Sequence, residues 1–180
     1  EKKEIYNNKK KMKIKISSRD KILCAKYRKG HFEGVLAVIN QLLNIVKAKY
    51  MFLGNKDYQQ VYLIKKFIKK KFNVKIISCK TVRDNSSLAY SSRILNLSNG
   101  EKIKASILTN ELIMFFKQLK KNIKNSKKVK HIKNQFSKYG IKIEYLEIRN
   151  KFNLSKEFNK NNFKLFVAFY INKVRLIDNF

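Results

Sequence analysis

The chain has 180 residues, of which 44% are hydrophobic, and a formal net charge of +31. This length fits one domain or two small ones, and the apolar content supplies a core and excludes a disordered chain. No apolar run approaches the roughly 18 residues of a membrane-spanning helix. Cys24 and Cys79 lie too far apart for a metal motif or a disulfide framework. With no apolar leader after Glu1, we expect a reduced, cytoplasmic protein without a membrane segment.

The first half of the chain has the pattern of an α/β unit. Residues 33–46 predict a largely buried helix, because apolar residues cover most of its circumference. A short buried strand is predicted at 50–53, followed by a helix over 57–71 and a strand at 74–79. A strand, helix, strand order predicts a parallel sheet. A short alternating stretch at 12–16 is a candidate edge strand.

The second half changes its pattern after a polar loop at 80–98. An amphipathic helix is predicted from about 101 to 124, and a shorter one over 127–139 that ends at Gly140. Three strand candidates follow, at 141–148, 163–171 and 174–177. Helices followed by strands close in sequence predict a small α+β domain.

These patterns predict an α/β protein in two domains. Residues 1–95 contain the parallel sheet, and residues 96–180 form the α+β domain. We place the boundary near Asn96.

The excess charge is almost entirely lysine, with 37 Lys against 6 Arg spread along the chain. A basic chain attracts phosphate backbones, so a nucleic-acid surface is one explanation. We favour compositional bias, because Lys accompanies much Asn, Ile, Phe and Tyr and no Pro or Trp, as an AT-rich coding sequence produces. In such a chain a retained arginine predicts a position that requires a planar, bidentate guanidinium.

The first candidate site is the turn between the first strand and the second helix. Ligands of open α/β sheets bind beyond the carboxyl ends of strands, where helix N-termini offer N–H groups to phosphate. There Gly54 lets the backbone approach a nucleotide, and Lys56 reaches phosphate oxygens. Asp57 accepts hydrogen bonds from a ribose besides capping the helix, and Gln60 offers its amide to a polar substrate. A capped helix with a surface lysine explains these residues equally well.

Two further segments carry candidate residues. Ser91, Ser92 and Arg93 supply hydroxyls and a guanidinium, which suit a polyphosphate whose charge shifts during a reaction. Arg28 precedes the first long helix and is a candidate for an anionic substrate, while we interpret His31 as a structural turn residue rather than a base. No cluster of His, Cys and acidic residues predicts a protein-bound metal.

Five segments in this order resemble the pantothenate synthetases, the pantoate–β-alanine ligase family. They are RKGHFEGV (28–35), LGNKDYQQ (53–60), TVR (81–83), LAYSSR (88–93) and RLIDN (175–179). They span almost the whole chain, with spacing similar to that of the family. The resemblance implies a partial Rossmann-like nucleotide-binding domain, a small α+β C-terminal domain and a homodimer.

The resemblance also implies the reaction. ATP, with its Mg²⁺, activates the carboxylate of pantoate to give pantoyl adenylate and pyrophosphate. The amine of β-alanine then attacks the acyl carbon, which gives pantothenate and releases AMP. Little covalent work falls to the protein, so catalysis would come from positioning and from neutralising phosphate charge.

Site residues follow from the resemblance by motif. Catalysis is assigned to Lys56, Ser91, Ser92 and Arg93. ATP binding is assigned to the same four residues with Gly54, Asp57, Val82 and Tyr90. Pantoate binding is assigned to Arg28, Val38, Ile39 and Gln60.

The chain departs from the family where ATP phosphates are held. The family opens with a His-x-Gly-His segment, and the only histidines here are His31 and His131. We therefore expect a fragment that is inactive and poorly soluble by itself. Two alternatives stay open: a lysine-rich nucleic-acid-binding remnant without catalysis, and a related nucleotidyltransferase with another acceptor.

Smaller departures concern the backbone of loops. Lys29 and Lys80 stand where the family has proline or, at the first position, another small residue. Ser86 and Ser87 stand where Asp-Gly is usual, and glycine favours special backbone angles. We expect the changes at Lys80, Ser86 and Ser87 to alter the stiffness of their loop.

Overall fold

The computed structural model describes residues 14–180. Its contacts divide the chain into two compact units, the residues up to Lys80 and Thr81–Phe180. The predicted domain boundary near Asn96 falls inside the second unit. The loop before Asn96 belongs to this unit, because the Arg83 guanidinium in the loop forms an ion pair with Asp178. The assignment of nucleotide binding to residues 1–95 stays a prediction.

The first unit has a two-stranded sheet and three helices among its described residues. Its elements are the 3₁₀ turn Ser18–Asp20, α1 (Cys24–Tyr27), α2 (His31–Ile45), β1 (Tyr50–Gly54), the 3₁₀ turn Asn55–Asp57, α3 (Tyr58–Ile68) and β2 (Lys75–Cys79). β1 and β2 pair in parallel, with Gly54 opposite Cys79. The predicted element order and the parallel pairing are confirmed. In the candidate edge strand, residues 14–16 are not in a strand, and 12 and 13 lie outside the described residues.

The core of the first unit lies between its two long helices and one face of the sheet. It contains Leu36, Leu43, Ile64 and Ile68, with Met51, Leu53 and Ile76 partly buried against them. Since strand side chains alternate between faces, the other face of β1 exposes Tyr50 and Phe52, at 55% and 66%. The prediction that β1 is a buried strand is therefore wrong. The prediction that α2 is largely buried is also wrong, because Ile45 on this helix is exposed.

The second unit is an antiparallel sheet with two helices. Its elements are the 3₁₀ turn Ser92–Asn96, α4 (Asn99–Lys121), the 3₁₀ turn Ile123–Lys128, α5 (Val129–Ser137), β3 (Ile141–Asn150), β4 (Phe163–Ile171) and β5 (Val174–Asn179). The strand order is β3-β4-β5. The predicted helices and strands are confirmed. The C-cap of α5 is Lys138 rather than the predicted Gly140, which lies two residues further on with a positive φ of 71°. The predicted fold class is confirmed by these two units.

Helix α4 begins with a capping box and packs one narrow stripe into the core. The Ser98 side chain accepts from the Glu101 N–H, and the Glu101 carboxylate accepts from the Ser98 N–H. The apolar residues of the buried stripe are Ala105, Leu108, Leu112, Phe115 and Leu119, and Thr109 is buried beside them. Ile103 and Ile107, which count among the apolar positions of the sequence pattern, lie off this stripe and are exposed.

Three retained arginines of the second unit form ion pairs through more than one nitrogen. Arg83 pairs with Asp178 at 2.6 and 2.9 Å. Two further pairs join Arg149 to Glu147 and Arg175 to Glu144. The prediction that a retained arginine occupies a position that requires a planar, bidentate guanidinium is confirmed for these three. Their partners are protein carboxylates, so they stabilise the fold.

Lys164, on β4, is a half-buried lysine near these charges. Burial lowers the pKa of its ammonium group to about 8. The Asp178 carboxylate opposes this shift in pKa, and three neighbouring cations add to it: Arg83, Lys120 and Lys151.

We expect the free energy of unfolding to rise more steeply between about pH 8 and 10.4 in the wild type than in Lys164→Met. A lysine in the unfolded chain has a pKa of about 10.4, so in this window the unfolded state binds more protons than the native state. Below about pH 8 both states are protonated, and the penalty of the buried charge is constant. Urea denaturation at several pH values measures the two slopes. The exposed Lys160→Met is the control, and equal slopes in wild type and Lys164→Met contradict the prediction.

Candidate functional site

Gly54 ends β1 at the carboxyl edge of the parallel sheet, and the chain turns directly into α3. Its backbone angles, φ −73° and ψ 129°, suit any residue. A Cβ built at this position meets no atom within 4 Å. Neither conformation nor packing therefore requires glycine here, and the open space is consistent with a ligand approaching the backbone.

Asp57 occupies the N-cap position of α3, but its side chain makes no capping hydrogen bond. The predicted capping is wrong, because its ψ of 54° departs from the extended backbone that a capping residue typically adopts. The carboxylate is exposed at the helix N-terminus, and Lys56 is half-buried in the preceding turn. The missing capping bond removes the main support for the explanation that Asp57 only caps the helix. It favours the alternative explanation, in which Asp57 and Lys56 bind a ligand.

The residues assigned to pantoate all lie in the first unit. Arg28 directly follows α1 as its C-cap; its N–H donates to the Cys24 carbonyl at 2.9 Å, and it is half-buried. Val38 and Ile39 are half-buried on α2, and Gln60 is half-buried in the first turn of α3. Their contact with pantoate stays a prediction.

Sequence reasoning missed Gln59, which is buried and hydrogen-bonds to the segment before Arg28. Gln59 lies four residues before Leu63, which is buried, and residues four apart share one helix face. This spacing could have indicated that Gln59 is buried. A polar side chain on a buried face needs hydrogen-bond partners. Burial also raises the pKa of the neighbouring Tyr58.

In the second unit, a short antiparallel hairpin brings Val82 and Tyr90 opposite each other. Arg83 bridges Ala89, and the Tyr90 N–H donates to the Val82 carbonyl at 3.1 Å. Val82 and Tyr90 are exposed at 67% and 64%. Two adjacent exposed side chains of this kind agree with their joint assignment to an adenine contact, which stays a prediction.

Ser91, Ser92 and Arg93 follow this hairpin. The Ser91 hydroxyl accepts from the Arg93 N–H at 3.3 Å and so caps the 3₁₀ turn. Arg93 donates from Nη1 to the Arg175 carbonyl at 3.2 Å, which orients the guanidinium, and Ser92 is exposed. The structure thus holds the tripeptide in a defined conformation, and its assignment to phosphate stays a prediction.

The tip of the hairpin is organised by Asp84. Its carboxylate accepts from the Ser86 N–H, the Ser86 hydroxyl and the Leu88 N–H. Partial desolvation raises the pKa of Asp84, but these hydrogen bonds outweigh it and lower the pKa overall. Ser87 adopts a φ of 73°, a conformation that favours glycine. The turn therefore keeps a glycine conformation, with a serine under strain.

We expect Ser87→Gly to raise the free energy of unfolding by about 1 kcal/mol, because the left-handed conformation is strained for serine and not for glycine. Thermal denaturation measures the change. Ser86→Gly is the matched control and is expected to lower stability, since it removes the 2.7 Å bond from its hydroxyl to Asp84. A stability loss in Ser87→Gly equal to that of the control contradicts the prediction.

A family model described as pantoate-beta-alanine ligase matches residues 1–180 of this chain. The chain belongs to this family. A pantothenate synthetase of Leptospira interrogans is 41% identical over 170 residues, which cover 92% of this chain and 60% of the relative. One from Francisella tularensis subsp. mediasiatica is 40% identical over 160 residues, which cover 88% and 53%. The chain thus spans 60% or less of the length of these ligase relatives.

Solved structures of the family share the fold. The Francisella tularensis pantoate-beta-alanine ligase, complexed with beta-gamma ATP and beta-alanine, has a TM-score of 0.77 at 35% identity, covering 99% of this chain and 61% of that one. The Thermus thermophilus pantothenate synthetase has a TM-score of 0.85 at 24% identity, covering 100% and 67%. At that identity the second comparison shows the fold alone. Within residues 14–180, no helix is long and apolar enough to cross a membrane.

Proposed function

We propose that this chain is part of an ATP-dependent ligase that condenses pantoate with β-alanine to pantothenate through pantoyl adenylate. The observation that carries the proposal is the turn after β1. Gly54 leaves its backbone open, and the Asp57 carboxylate at the N-terminus of α3 does not cap the helix. Membership of the family and the ligands of the Francisella tularensis relative support it.

In the first step, a carboxylate oxygen of pantoate attacks the α-phosphorus of ATP. The bond from that phosphorus to the bridging oxygen breaks, and pyrophosphate leaves with the electron pair. Lys56, Ser91, Ser92 and Arg93 would neutralise or hydrogen-bond the phosphate oxygens, where charge moves towards the leaving group. Asp57 would accept from the ribose hydroxyls, and Val82 and Tyr90 would contact the adenine.

In the second step, the neutral amine of β-alanine attacks the acyl carbon of the adenylate. The bond from that carbon to the phosphate oxygen breaks, AMP leaves, and a proton of the amine passes to water. Arg28 and Gln60 would hold the polar groups of pantoate, while Val38 and Ile39 would supply apolar contact. Catalysis then rests on holding the reacting groups together.

Magnesium would enter as a complex with the phosphates of ATP, as part of the substrate. Residues 14–180 contain no group of three or more His, Cys, Asp or Glu side chains able to hold a metal ion. Phosphate oxygens and water are the ligands that Mg²⁺ commonly keeps in such sites. We place the protein in the cytoplasm, as its composition predicts, and propose a homodimer, as the family resemblance implies.

The experiment is pantothenate formation from ATP, pantoate and β-alanine by the full-length gene product that carries these residues. We expect activity, and a decrease in kcat/KM of about 100-fold or more in Lys56→Met, since removal of one charge-stabilising group typically has this effect. Lys69→Met, an exposed lysine at the end of α3, is the matched control.

The 180-residue chain, assayed in parallel, is expected to form no pantothenate, because it spans only part of its relatives. Activity of this chain contradicts that part of the proposal. An inactive full-length product with salt-dependent RNA affinity favours a nucleic-acid-binding remnant instead.

A further inference from the structure

Gln59 uses its side-chain amide to hold a distant segment of the first unit. Its Nε2 donates to the carbonyl oxygens of Ile22, at 2.7 Å, and Asp20, at 3.2 Å. Its Oε1 accepts from the Ala25 N–H at 3.3 Å. Both amide hydrogens and the carbonyl oxygen are therefore used, and the side chain is buried. None of the three partners is near Gln59 in sequence, so these bonds fix tertiary structure.

The segment that Gln59 holds contains a strained turn. Leu23 has φ 47° and ψ −129°, and its side chain is 1% exposed. Such a conformation is strained for a residue other than glycine, and persists only where the surroundings impose it. The Ile22 carbonyl and the Ala25 N–H flank Leu23, so the Gln59 amide bonds both sides of the turn.

A second tether joins the same segment to α3. The Asp20 carboxylate is buried, and it accepts from the Lys66 ammonium at 2.8 Å and from the Ser17 hydroxyl at 2.7 Å. Lys66 lies two turns beyond Gln59 on the helix. This tether holds the start of the segment, whereas Gln59 bonds to residues nearer Arg28.

Gln59 links two elements next to residues assigned to pantoate. Ala25 lies in the first turn of α1, and its N–H donates both to the Ile22 carbonyl at 3.0 Å and to Gln59 Oε1 at 3.3 Å, so Gln59 adds a bond from α3 to the start of this helix. Arg28, three residues later, is the C-cap of α1. Gln60 directly follows Gln59. One buried side chain thereby links the start of α1, which precedes Arg28, to the first turn of α3, which carries Gln60.

We propose that Gln59 is a positioning residue that holds Arg28 and Gln60 in the relative placement needed to bind the carboxylate substrate. This inference rests on the proposed function. It adds that the affinity for pantoate depends on a side chain that does not touch pantoate.

The test compares Gln59→Met with Gln118→Met in the full-length gene product. Met keeps the length of the side chain and removes its hydrogen bonds, and the exposed Gln118 on α4 is the control for the same change. We expect the KM for pantoate to rise about tenfold, since small misplacements of positioning groups have effects of this order or larger. Partial unfolding lowers the apparent kcat and leaves KM unchanged, so the two roles give different results.

Gln59→Glu supplies a second test within one folded protein. When ionised, its carboxylate faces the Asp20 and Ile22 carbonyls and repels them; when protonated, it donates to one of them. We expect the ratio of its KM for pantoate to that of the wild type to fall towards one as pH is lowered. Active wild type with unchanged KM in both variants overturns the positioning role, whereas an inactive wild type overturns the proposed function.

Discussion

Gly54→Ala in the full-length gene product is expected to lower the affinity for ATP by about tenfold or more and to leave stability unchanged or slightly higher. The backbone angles suit alanine, and its Cβ meets no protein atom within 4 Å. Replacing glycine where the angles allow it also reduces the entropy of the unfolded chain. If a nucleotide lies against this backbone, the added methyl group overpacks the contact, which costs about 1–3 kcal/mol in well-packed sites.

Titration with a fluorescent ATP analogue and urea denaturation measure the two quantities. Gly100→Ala is the matched control, because Gly100 is exposed on α4 and its Cβ also meets no atom within 4 Å. Equal ATP affinity in Gly54→Ala and wild type shows that the nucleotide does not approach Gly54. A large loss of stability shows instead that the glycine is structural.

Asp178→Ala is expected to destabilise the protein by about 3–5 kcal/mol, the usual effect of removing one partner of a buried ion pair. Asp178 is buried and accepts two hydrogen bonds from Arg83, at 2.6 and 2.9 Å. Its removal leaves the Arg83 guanidinium without this partner, over the Phe180 ring at 4.9 Å. The hairpin that carries Val82 and Tyr90 loses this anchor.

Urea denaturation followed by circular dichroism measures this change. Asp57→Ala is the control with the same substitution, and we expect its effect to stay within about 0.5 kcal/mol, because Asp57 is exposed and caps no helix. A loss below about 1 kcal/mol in Asp178→Ala contradicts the role of the ion pair as an anchor.

Local patterns predicted most elements of the fold because helix and strand periodicities act over a few residues. The strand predicted at 163–171 is observed as Phe163–Ile171, and Gly140, two residues beyond the C-cap of α5, has a positive φ. Burial was predicted less well. Exposed Tyr50 and Phe52 follow from which face of the sheet the helices cover, and an apolar run does not contain that information.

For the candidate site, too, the sequence determined some features and the tertiary structure decided others. The sequence by itself determined the motif residues, and with them the family, because the segments keep their spacing along the chain. Only the tertiary structure decided that Asp57 does not cap its helix, that Arg83 pairs with Asp178 and that Gln59 holds the strained turn at Leu23. These three features depend on backbone angles and on hydrogen-bond partners up to 95 residues apart in sequence. The local sequence around one residue does not specify such a distant partner.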